Sequence, residues 1–418
     1  MISRKGFLSM AASAALAVGI GSTPVAAQDV TLTLHQFLPP QANVPKLVLD
    51  VWADNVEKDS GGRIKVDRYP SMQLGGKPPE LMDQAIDGVA DIVWTVVGYT
   101  PGRFPSTEVF ELPFMMTNAR AASRAYWEMF EKHMKDTEFK DVHILGTWVH
   151  GPGLIHANKE IRTPSDMEGM KIRGGSRLAN ALLEKVGATP VGMPVPAVPE
   201  GLSKGVIDGT TIPWEVTAAL KVPELVTNHT EFTGNALYVL TFVLAMNKDR
   251  YESLPDDLKK VIDDNSGLEF SVFAGGTQAD SDGPARKLAA DRGNNIVTLN
   301  EEETAVWKEV AQPIYDEWVA EMNEKGIDGQ ALIDEARALR RLMVRHPPAN
   351  NQRIVALFLS MGHHDSLIHR LSQTYKNRWQ VMGEALNRHL PESSRIPSFG
   401  GTSYWVEGPE GLDARDLK

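Results

Sequence analysis

The sequence predicts an α/β protein of two lobes joined by a hinge, with a helical C-terminal part and an additional α-rich tail. Short runs of strand-forming residues alternate with amphipathic helical stretches through the first half of the chain. An apolar segment then crosses back after the second of these units, and almost everything that follows has helical periodicity. The 418 residues are long enough for two such lobes and a sizeable core.

The first lobe opens with a β-α-β pattern and continues the same alternation. Strands separated by helices predict a largely parallel sheet that is covered on both faces. The predicted elements are strands 30–34, 64–68, 91–97 and 142–149, and helices 44–57, 78–86 and 121–134.

The second lobe is predicted to begin near Thr163, and its chain returns to the first lobe through a long apolar strand. A helix start is clear at Leu254-Pro255-Asp256-Asp257, because Pro and acidic residues favour the first helical turn. From there to about Leu339 the pattern is nearly all helical. The predicted elements are strands 170–173, 189–192 and 233–246, and helix 178–186.

The first 27 residues are predicted to be an export signal. Arg4 and Lys5 precede a short apolar run, and Val25-Ala26-Ala27 offers small residues for cleavage. An uncleaved membrane anchor is the alternative, but the run is shorter than the roughly 20 residues that a spanning helix needs. The chain has no cysteine, so its stability must come from burial rather than disulfides. We therefore expect a protein outside the cytoplasm.

The charge and the motifs exclude several classes of protein. A net charge of −11 makes the chain a poor nucleic-acid binder, because phosphate contacts need clustered Lys and Arg. The sequence contains no Gly-x-Ser-x-Gly elbow, no Walker A loop, no Gly-x-Gly-x-x-Gly after a strand and no cysteine nucleophile. We therefore expect no catalytic residue, no cofactor and no metal. A cofactor-free enzyme built on scattered acidic residues stays open as an alternative.

Several short motifs occur in a characteristic order between residues 30 and 335. Together they resemble the substrate-binding subunits of TRAP transporters, the DctP-like family. The motifs are Gln73-Leu74-Gly75-Gly76, Gly88-Val89-Ala90-Asp91-Ile92, Glu111-Leu112-Pro113-Phe114, Met167-Glu168-Gly169-Met170-Lys171-Ile172-Arg173, Gly187-Ala188-Thr189-Pro190-Val191, Lys204-Gly205-Val206-Ile207-Asp208-Gly209 and Met246-Asn247-Lys248.

The resemblance implies a two-lobed periplasmic binding protein that closes on a small organic carboxylate and delivers it to small and large integral membrane subunits. It implies a solute-binding domain over 28–340, with lobe I at about 28–150 and 235–275 and lobe II at about 155–230. The helices up to residue 340 would pack across both lobes. We expect a monomer. A periplasmic sensor module for a signalling partner would use the same cleft and is the alternative.

The family's carboxylate-binding arginine matches Arg173. A guanidinium is always charged, and its planar fork matches a carboxylate, so it can hold one even after water leaves. Ile212 stands where many members have Asn, and Leu154 stands nearest the place of a second arginine. With fewer polar anchors and Trp214 nearby, we expect a ligand with one carboxylate and an apolar or aromatic body.

Further candidate contacts lie at or after the ends of predicted strands, where ligands bind in open α/β sheets. Large aromatic residues also serve protein cores, and in the alternative interpretation His150 binds nothing. Glu215 could bind a cation that bridges to the carboxylate, with a solvated surface role as the favoured alternative. The candidate ligand contacts beside Arg173 are Trp94, Tyr99, Trp148, His150, Thr211, Ile212 and Trp214.

The composition changes beyond about Leu339, and residues 341–418 are richer in His and Arg. The runs Leu339-Arg340-Arg341-Leu342-Met343 and Phe399-Gly400-Gly401-Thr402-Ser403-Tyr404-Trp405-Val406 resemble part of a pyridoxal-phosphate aminotransferase of the kind fused to GntR regulators. Lys376 is the only lysine there before the final residue, and no Schiff-base lysine is recognisable. We expect this fragment to be non-functional. Its five histidines lack a metal-binding spacing.

Overall fold

The computed structural model describes residues 29–344 and, beyond them, only 376–378, 380, 381, 384, 388, 395–396 and 405–406. The chain divides into two compact units, Met1–Met343 and Val344–Lys418. In the second unit the short strands Arg395–Ile396 and Trp405–Val406 pair antiparallel. The predictions for the export signal and for most of the aminotransferase-like tail lie outside the described residues. None of the helices in the described ranges is long and apolar enough to cross a membrane.

Helices and strands alternate through the first unit as predicted, and we number them in chain order. The strands are β1 Val30–His35, β2 Ile64–Tyr69, β3 Ile92–Val96, β4 Val142–Val149, β5 Gly153–Ala157, β6 Lys171–Gly174, β7 Thr189–Gly192, β8 Gly209–Pro213, β9 Asn228–Phe232, β10 Thr241–Asn247 and β11 Asn295–Leu299. The α-helices are α1 Asp50–Asp59, α2 Leu81–Ile86, α3 Ala119–Met129, α4 Arg177–Lys185, α5 Val198–Ser203, α6 Trp214–Thr217, α7 Val222–Leu225, α8 Lys248–Glu252, α9 Asp256–Asp264, α10 Gly267–Asp280, α11 Asp282–Asp291, α12 Glu301–Glu324 and α13 Gly329–Val344.

The sheet of lobe I has the strand order β2-β1-β3-β10-β4. β1 pairs parallel with both β2 and β3, as the β-α-β pattern predicts. β10 returns from the other lobe and is antiparallel to β3 and β4. Every residue of β3 and of β10 is buried, which is typical of central strands covered on both faces. The strand that crosses back therefore becomes part of the core of lobe I.

The sheet of lobe II has the order β11-β9-β5-β8-β6-β7 and contains four strands that the sequence did not predict. β6 is parallel to β7 and β8, whereas β5 is antiparallel to β8 and β9. The unpredicted strands are short, and β9 has the sequence Asn-His-Thr-Glu-Phe, in which Asn and Glu are poor strand formers. Their pairing partners, rather than their own pattern, make them strands. The four are β5, β8, β9 and β11.

The predicted crossing strand was wrong in part, whereas the C-terminal part is nearly all helical as predicted. The predicted strand over 233–246 begins only at Thr241, because the backbone before it pairs elsewhere: Phe114 N–H donates to Leu237 O and Ala236 N–H donates to Met116 O. The region after Leu254 is helical except for β11, which pairs parallel with β9. A strand between α11 and α12 thus completes the sheet of lobe II.

A chain of hydrogen bonds between neutral histidines lies inside lobe II. His156 Nε2 lies 3.2 Å from Ile212 O, and His156 Nδ1 lies 2.7 Å from His229 Nδ1. Asn294 Nδ2 lies 2.9 Å from His229 Nε2 and donates to it. His156 Nε2 faces a carbonyl and must carry a proton, so His156 Nδ1 is an acceptor. His229 Nε2 accepts from the Asn294 amide, so His229 Nδ1 carries the proton and donates to His156 Nδ1. Burial lowers the pKa of His156 well below its usual value and that of His229 to about 4.

We expect this histidine pair to make the protein sensitive to acid. The unfolded chain protonates His229 near pH 6.5 and the folded chain only near pH 4, so this contribution is complete above pH 6.5 and is lost as the pH falls through that window. His229→Gln keeps a neutral donor and acceptor, and it should reduce the loss of unfolding free energy between pH 6.5 and 4.5 by roughly 2–3 kcal/mol. Urea unfolding of the parent protein and the variant at several pH values measures this change in unfolding free energy. If the unfolding free energy depends on pH equally in both proteins, the prediction for His229 is wrong.

Candidate ligand-binding site

A cavity lies where the carboxyl ends of β3, β6 and β8 meet the crossing segment that precedes β10. Ligands bind at such strand ends in open α/β sheets. The cavity takes its lining from both lobes. Its lining residues are Phe37, Leu38, Trp94, Val96, Tyr99, His150, Arg173, Val195, Ile212, Pro213, Glu215, Val216, Tyr238, Leu240, Phe242 and Gln278.

Arg173 is fully buried at the end of β6, and one edge of its guanidinium has no partner. Nε donates to Met193 O at 2.9 Å, and Nη1 donates to Thr211 O at 3.0 Å. Both acceptors are neutral carbonyls, and Nη2 has no hydrogen-bond partner among the described residues. Gly175 leaves this edge uncovered, since a Cβ there would lie 3.1 Å from Nη2. A buried cation held by neutral carbonyls is suited to receive an anion from the cavity.

Two tyrosine hydroxyls accompany Arg173. The Tyr99 hydroxyl accepts a hydrogen bond of 2.9 Å from Val195 N–H, so its own proton is free to be donated to a ligand. The Tyr238 hydroxyl is buried beside Thr211 without a partner in hydrogen-bond geometry among the described residues. Burial raises the pKa of Tyr99, and raises that of Tyr238 to about 12, whereas the charge of Arg173 opposes both shifts. Both hydroxyls therefore remain protonated donors.

Three aromatic rings from lobe I and the crossing strand line one wall of the cavity. Phe37 stacks on Trp94 with ring centroids 4.5 Å apart. Phe242 also stacks on Trp94, with ring centroids 5.5 Å apart. Trp94 Nε1 is buried and has no hydrogen-bond partner in the described part of the chain. The wall is flat and apolar, and it is suited to a planar ligand body.

His150 lines the cavity with its ring, because both ring nitrogens are used within the protein. Nε2 accepts from Leu240 N–H at 3.0 Å, and Nδ1 pairs with Gly151 O. Burial lowers the pKa of His150 to about 4, so the ring is neutral. It can contact a ligand through its apolar surface, but it is not poised to donate a hydrogen bond.

The structure brings together five of the eight candidate residues and places the other three away from the cavity lining. Trp148 lies behind Trp94 with parallel rings 6.4 Å apart. Trp214 packs beside Leu154 and donates from Nε1 to Glu231 at 2.8 Å. The hydroxyl of Thr211 donates to Arg173 O at 3.1 Å. The cavity is lined by Arg173, Trp94, Tyr99, His150 and Ile212.

Glu215 is not a solvated surface residue, contrary to the favoured interpretation of the sequence. It is 2% exposed and lines the cavity. Gln278 Nε2 donates to Glu215 Oε1 at 2.8 Å, and Glu215 N–H donates to Asp282 Oδ1 at 2.8 Å. Burial raises the pKa of Glu215 to about 7 and that of Asp282 to about 8, the second helped by the neighbouring Glu215 charge. Within the described residues, no group of three or more His, Asp or Glu could hold a metal ion.

Sequence reasoning missed Phe37, Tyr238, Phe242 and Gln278. Phe37 follows β1 just as Tyr99 follows β3. The tendency of ligands to bind at the carboxyl ends of strands in open α/β sheets could therefore have identified it. Tyr238 and Phe242 fell within a segment that was interpreted as one strand, and Gln278 lies in the middle of α10. No local signal distinguishes these three from core residues.

The chain matches known proteins over most of its length. The family model DctP, described as bacterial extracellular solute-binding protein family 7, matches residues 36–322. A TRAP solute-binding protein from Rhodoferax ferrireducens T118, crystallised with copurified benzoate, is 51% identical with a TM-score of 0.73 and covers 74% of this chain and 97% of that one. A marine metagenome TRAP solute-binding protein with 3-hydroxybenzoate is 46% identical with a TM-score of 0.74 and covers 75% and 99%.

A different relative matches a short piece of the chain. An 85-residue stretch is 42% identical to the HTH-type transcriptional regulator TauR of Rhodobacter capsulatus, and it makes up 20% of this chain and 18% of the regulator. This match does not conflict with the resemblance of the C-terminal segment to a fragment of a regulator-fused aminotransferase. The family match over 36–322 and the two solved structures, by contrast, span both lobes. The chain therefore belongs to the DctP family of extracellular solute-binding proteins, the carboxylate-binding receptors of TRAP transporters.

Proposed function

We propose that this protein is a periplasmic receptor that binds an aromatic monocarboxylate between its lobes and delivers it to the membrane subunits of a TRAP transporter. The observation that carries the proposal is the unpaired edge of the buried Arg173 guanidinium beside a wall of stacked aromatic rings. Arg173 would pair with the carboxylate, and the hydroxyls of Tyr99 and Tyr238 would donate to it. Phe37 and Trp94 would cover the ring.

The ligands of the two solved relatives support the aromatic class. Benzoate and 3-hydroxybenzoate each carry one carboxylate on one aromatic ring. A second carboxylate would need a second cation, and Arg173 is the only arginine or lysine that lines the described cavity. We therefore place aromatic monocarboxylates ahead of dicarboxylates as ligands of this chain.

Closure of the lobes would complete the site, since the lining comes from both of them. Arg177 at the start of α4 in lobe II pairs with Glu108 of lobe I, where Nε lies 3.0 Å from Oε1. Arg177 Nη1 also lies 2.6 Å from Glu321 of α12, and Trp318 donates to Glu108 Oε2 at 3.0 Å. We propose that these contacts hold the closed form and that the ligand selects it by contacts that only the closed form makes.

A thermal-shift screen of the purified protein, freed of copurified ligand by unfolding and refolding, tests the ligand class. Binding to the folded state stabilises it by RT ln(1 + [L]/Kd), so a tight ligand raises the melting temperature clearly. We expect benzoate-type acids to raise it and C4-dicarboxylates to raise it little. A larger shift with dicarboxylates would refute the aromatic class.

We propose further that the ligand is bound and released unchanged, as expected of a receptor rather than an enzyme. Chromatography of the ligand after long incubation with the protein should recover one unaltered compound, whereas a new product would show turnover. We also propose a monomer without affinity for nucleic acid, in keeping with the acidic net charge of −11. Light scattering on the eluting protein tests the oligomeric state.

The segment after the first compact unit is proposed to take no part in ligand capture. The family match ends at residue 322, and the lining residues of the cavity lie between Phe37 and Gln278. A chain that ends at Met343, the last residue of the first unit, should bind the ligand with the affinity of the full chain. Weaker binding by the shortened chain would assign the C-terminal segment a role.

A further inference from the structure

The cavity has a second polar end, formed by Glu215 on α6 and Gln278 on α10. Both residues are 2% exposed. Gln278 Oε1 accepts from Trp148 Nε1 at 2.9 Å, and its Nε2 donates to Glu215 Oε1 at 2.8 Å, so the amide is held from two sides. Glu215 Oε2 is buried and has no hydrogen-bond partner among the described residues. The amide of Asn43 lies nearby and donates to the backbone Glu215 O at 2.8 Å, so Oε2 itself is left available to a ligand.

Glu215 and Arg173 both line the cavity, but Arg173 is not among the groups that shift the pKa of Glu215. The charge of Arg173 contributes to the pKa shifts of Tyr99, Tyr238 and His150. The pKa of Glu215 is instead set by burial and by hydrogen bonds that involve Gln278 and Asn43. A ligand whose carboxylate pairs with Arg173 would consequently meet Glu215 with another part of its body.

We propose that Glu215, held by Gln278, hydrogen-bonds a hydroxyl group on the ring of the ligand and so makes the receptor select hydroxylated aromatic acids over unsubstituted ones. The inference deepens the proposed function and rests on it. A hydroxyl fits this site because it both donates and accepts, whereas a ring C–H or a methyl group does neither. With a pKa of about 7, Glu215 is present as carboxylate and as carboxylic acid at neutral pH, and a hydroxyl can pair with either form.

The selectivity should be substantial, because the unsubstituted ligand leaves Glu215 Oε2 buried without a partner. A site built to hydrogen-bond a hydroxyl rejects an analogue that lacks it more strongly than an apolar pocket rejects an added group. We expect the best of the hydroxybenzoates to bind at least about tenfold more tightly than benzoate.

Calorimetric titration of the refolded full chain with benzoate, 3-hydroxybenzoate, 4-hydroxybenzoate and the matching methylbenzoates tests the proposal. The measured quantity is the ratio of the benzoate Kd to the hydroxybenzoate Kd. Glu215→Met has similar length but no polar atom that pairs well with a hydroxyl, and it should bring that ratio close to one. Glu215→Gln keeps a donor and an acceptor and should keep part of the preference. Glu200→Gln, at an exposed glutamate paired with Lys204, is the matched control and should keep the parent ratio.

The possible results distinguish the role of Glu215 from the proposed aromatic ligand class. If no aromatic acid binds the parent protein, the proposed ligand class fails. If benzoate binds and no hydroxybenzoate is preferred, or if Glu215→Met keeps the full preference, the role of Glu215 is refuted while the ligand class stands. Should Glu215→Met not fold, the parent ratio and the Glu215→Gln ratio still decide. A preference that appears with sodium chloride and vanishes with choline chloride would identify Glu215 as a cation ligand and would also refute the proposal.

Discussion

Replacing Arg173 with alanine should weaken binding of a benzoate-type ligand by about 2–5 kcal/mol, which is roughly thirtyfold to several thousandfold in Kd. The ligand carboxylate would then be buried among Tyr99, Tyr238 and aromatic rings without a cation. Titration calorimetry with the parent protein and the variant measures the difference. Arg173 is the sole cationic residue in the described lining, so no neighbouring lysine or arginine can take its place.

Two further variants make this test specific. Arg173→Lys keeps the charge, but a lysine cannot reach Met193 O, Thr211 O and a ligand together. The affinity of this variant for the ligand should therefore fall between those of the parent protein and of Arg173→Ala. Arg162→Ala removes an exposed arginine paired with Glu160 and should leave the affinity unchanged. Parent-like affinity in a folded Arg173→Ala protein would show that the carboxylate binds elsewhere.

Replacing Trp148 with alanine should lower the free energy of unfolding by about 3–5 kcal/mol, the usual cost of deleting a buried aromatic side chain. Trp148 is fully buried in β4, stacks near Phe242 with ring centroids 5.9 Å apart, and lies behind Trp94. The change would also leave Gln278 Oε1 without its indole donor. Urea unfolding monitored by circular dichroism measures the loss.

Matched variants separate the packing of Trp148 from its hydrogen bond. Trp148→Phe keeps an aromatic ring and loses only part of the volume and the bond to Gln278, so it should cost less than the alanine change. Trp127→Ala removes a half-buried indole of α3 and should also cost less. If Trp148→Ala costs under about 1 kcal/mol, the indole is not the support of the aromatic wall that the structure indicates.

The local pattern of the sequence was sufficient for lobe I and insufficient for lobe II. β1 and β2 alternate, and β3 is apolar except for Thr95. Each is next to a clear helical pattern, so each could be predicted from the local sequence. β8 is short and is bounded by Gly and Pro, and β9 is short and carries Asn and Glu, all of which are poor strand formers. They are strands because neighbouring strands satisfy their backbone groups, and that pairing connects residues far apart in sequence.

The same contrast holds for the site. Arg173 could be identified from its motif and from the chemistry of a guanidinium, and the structure places it in the cavity with a free edge. Trp148 and Trp214 were expected at strand ends, yet both indoles point into packing contacts that end in hydrogen bonds to Gln278 and Glu231. Glu215 was interpreted as a surface residue because nothing near it in sequence showed that α10 and α11 would bury it.

The sequence by itself determined the fold class and the membership of the receptor family, and it predicted an arginine that lines the cavity. These follow from local periodicity and from the charge and shape of single side chains. Only the tertiary structure decided which aromatic residues face the cavity, and that Glu215 and Gln278 form its second polar end. Burial and partnership depend on segments that meet only after folding, and a side chain's own identity does not specify them.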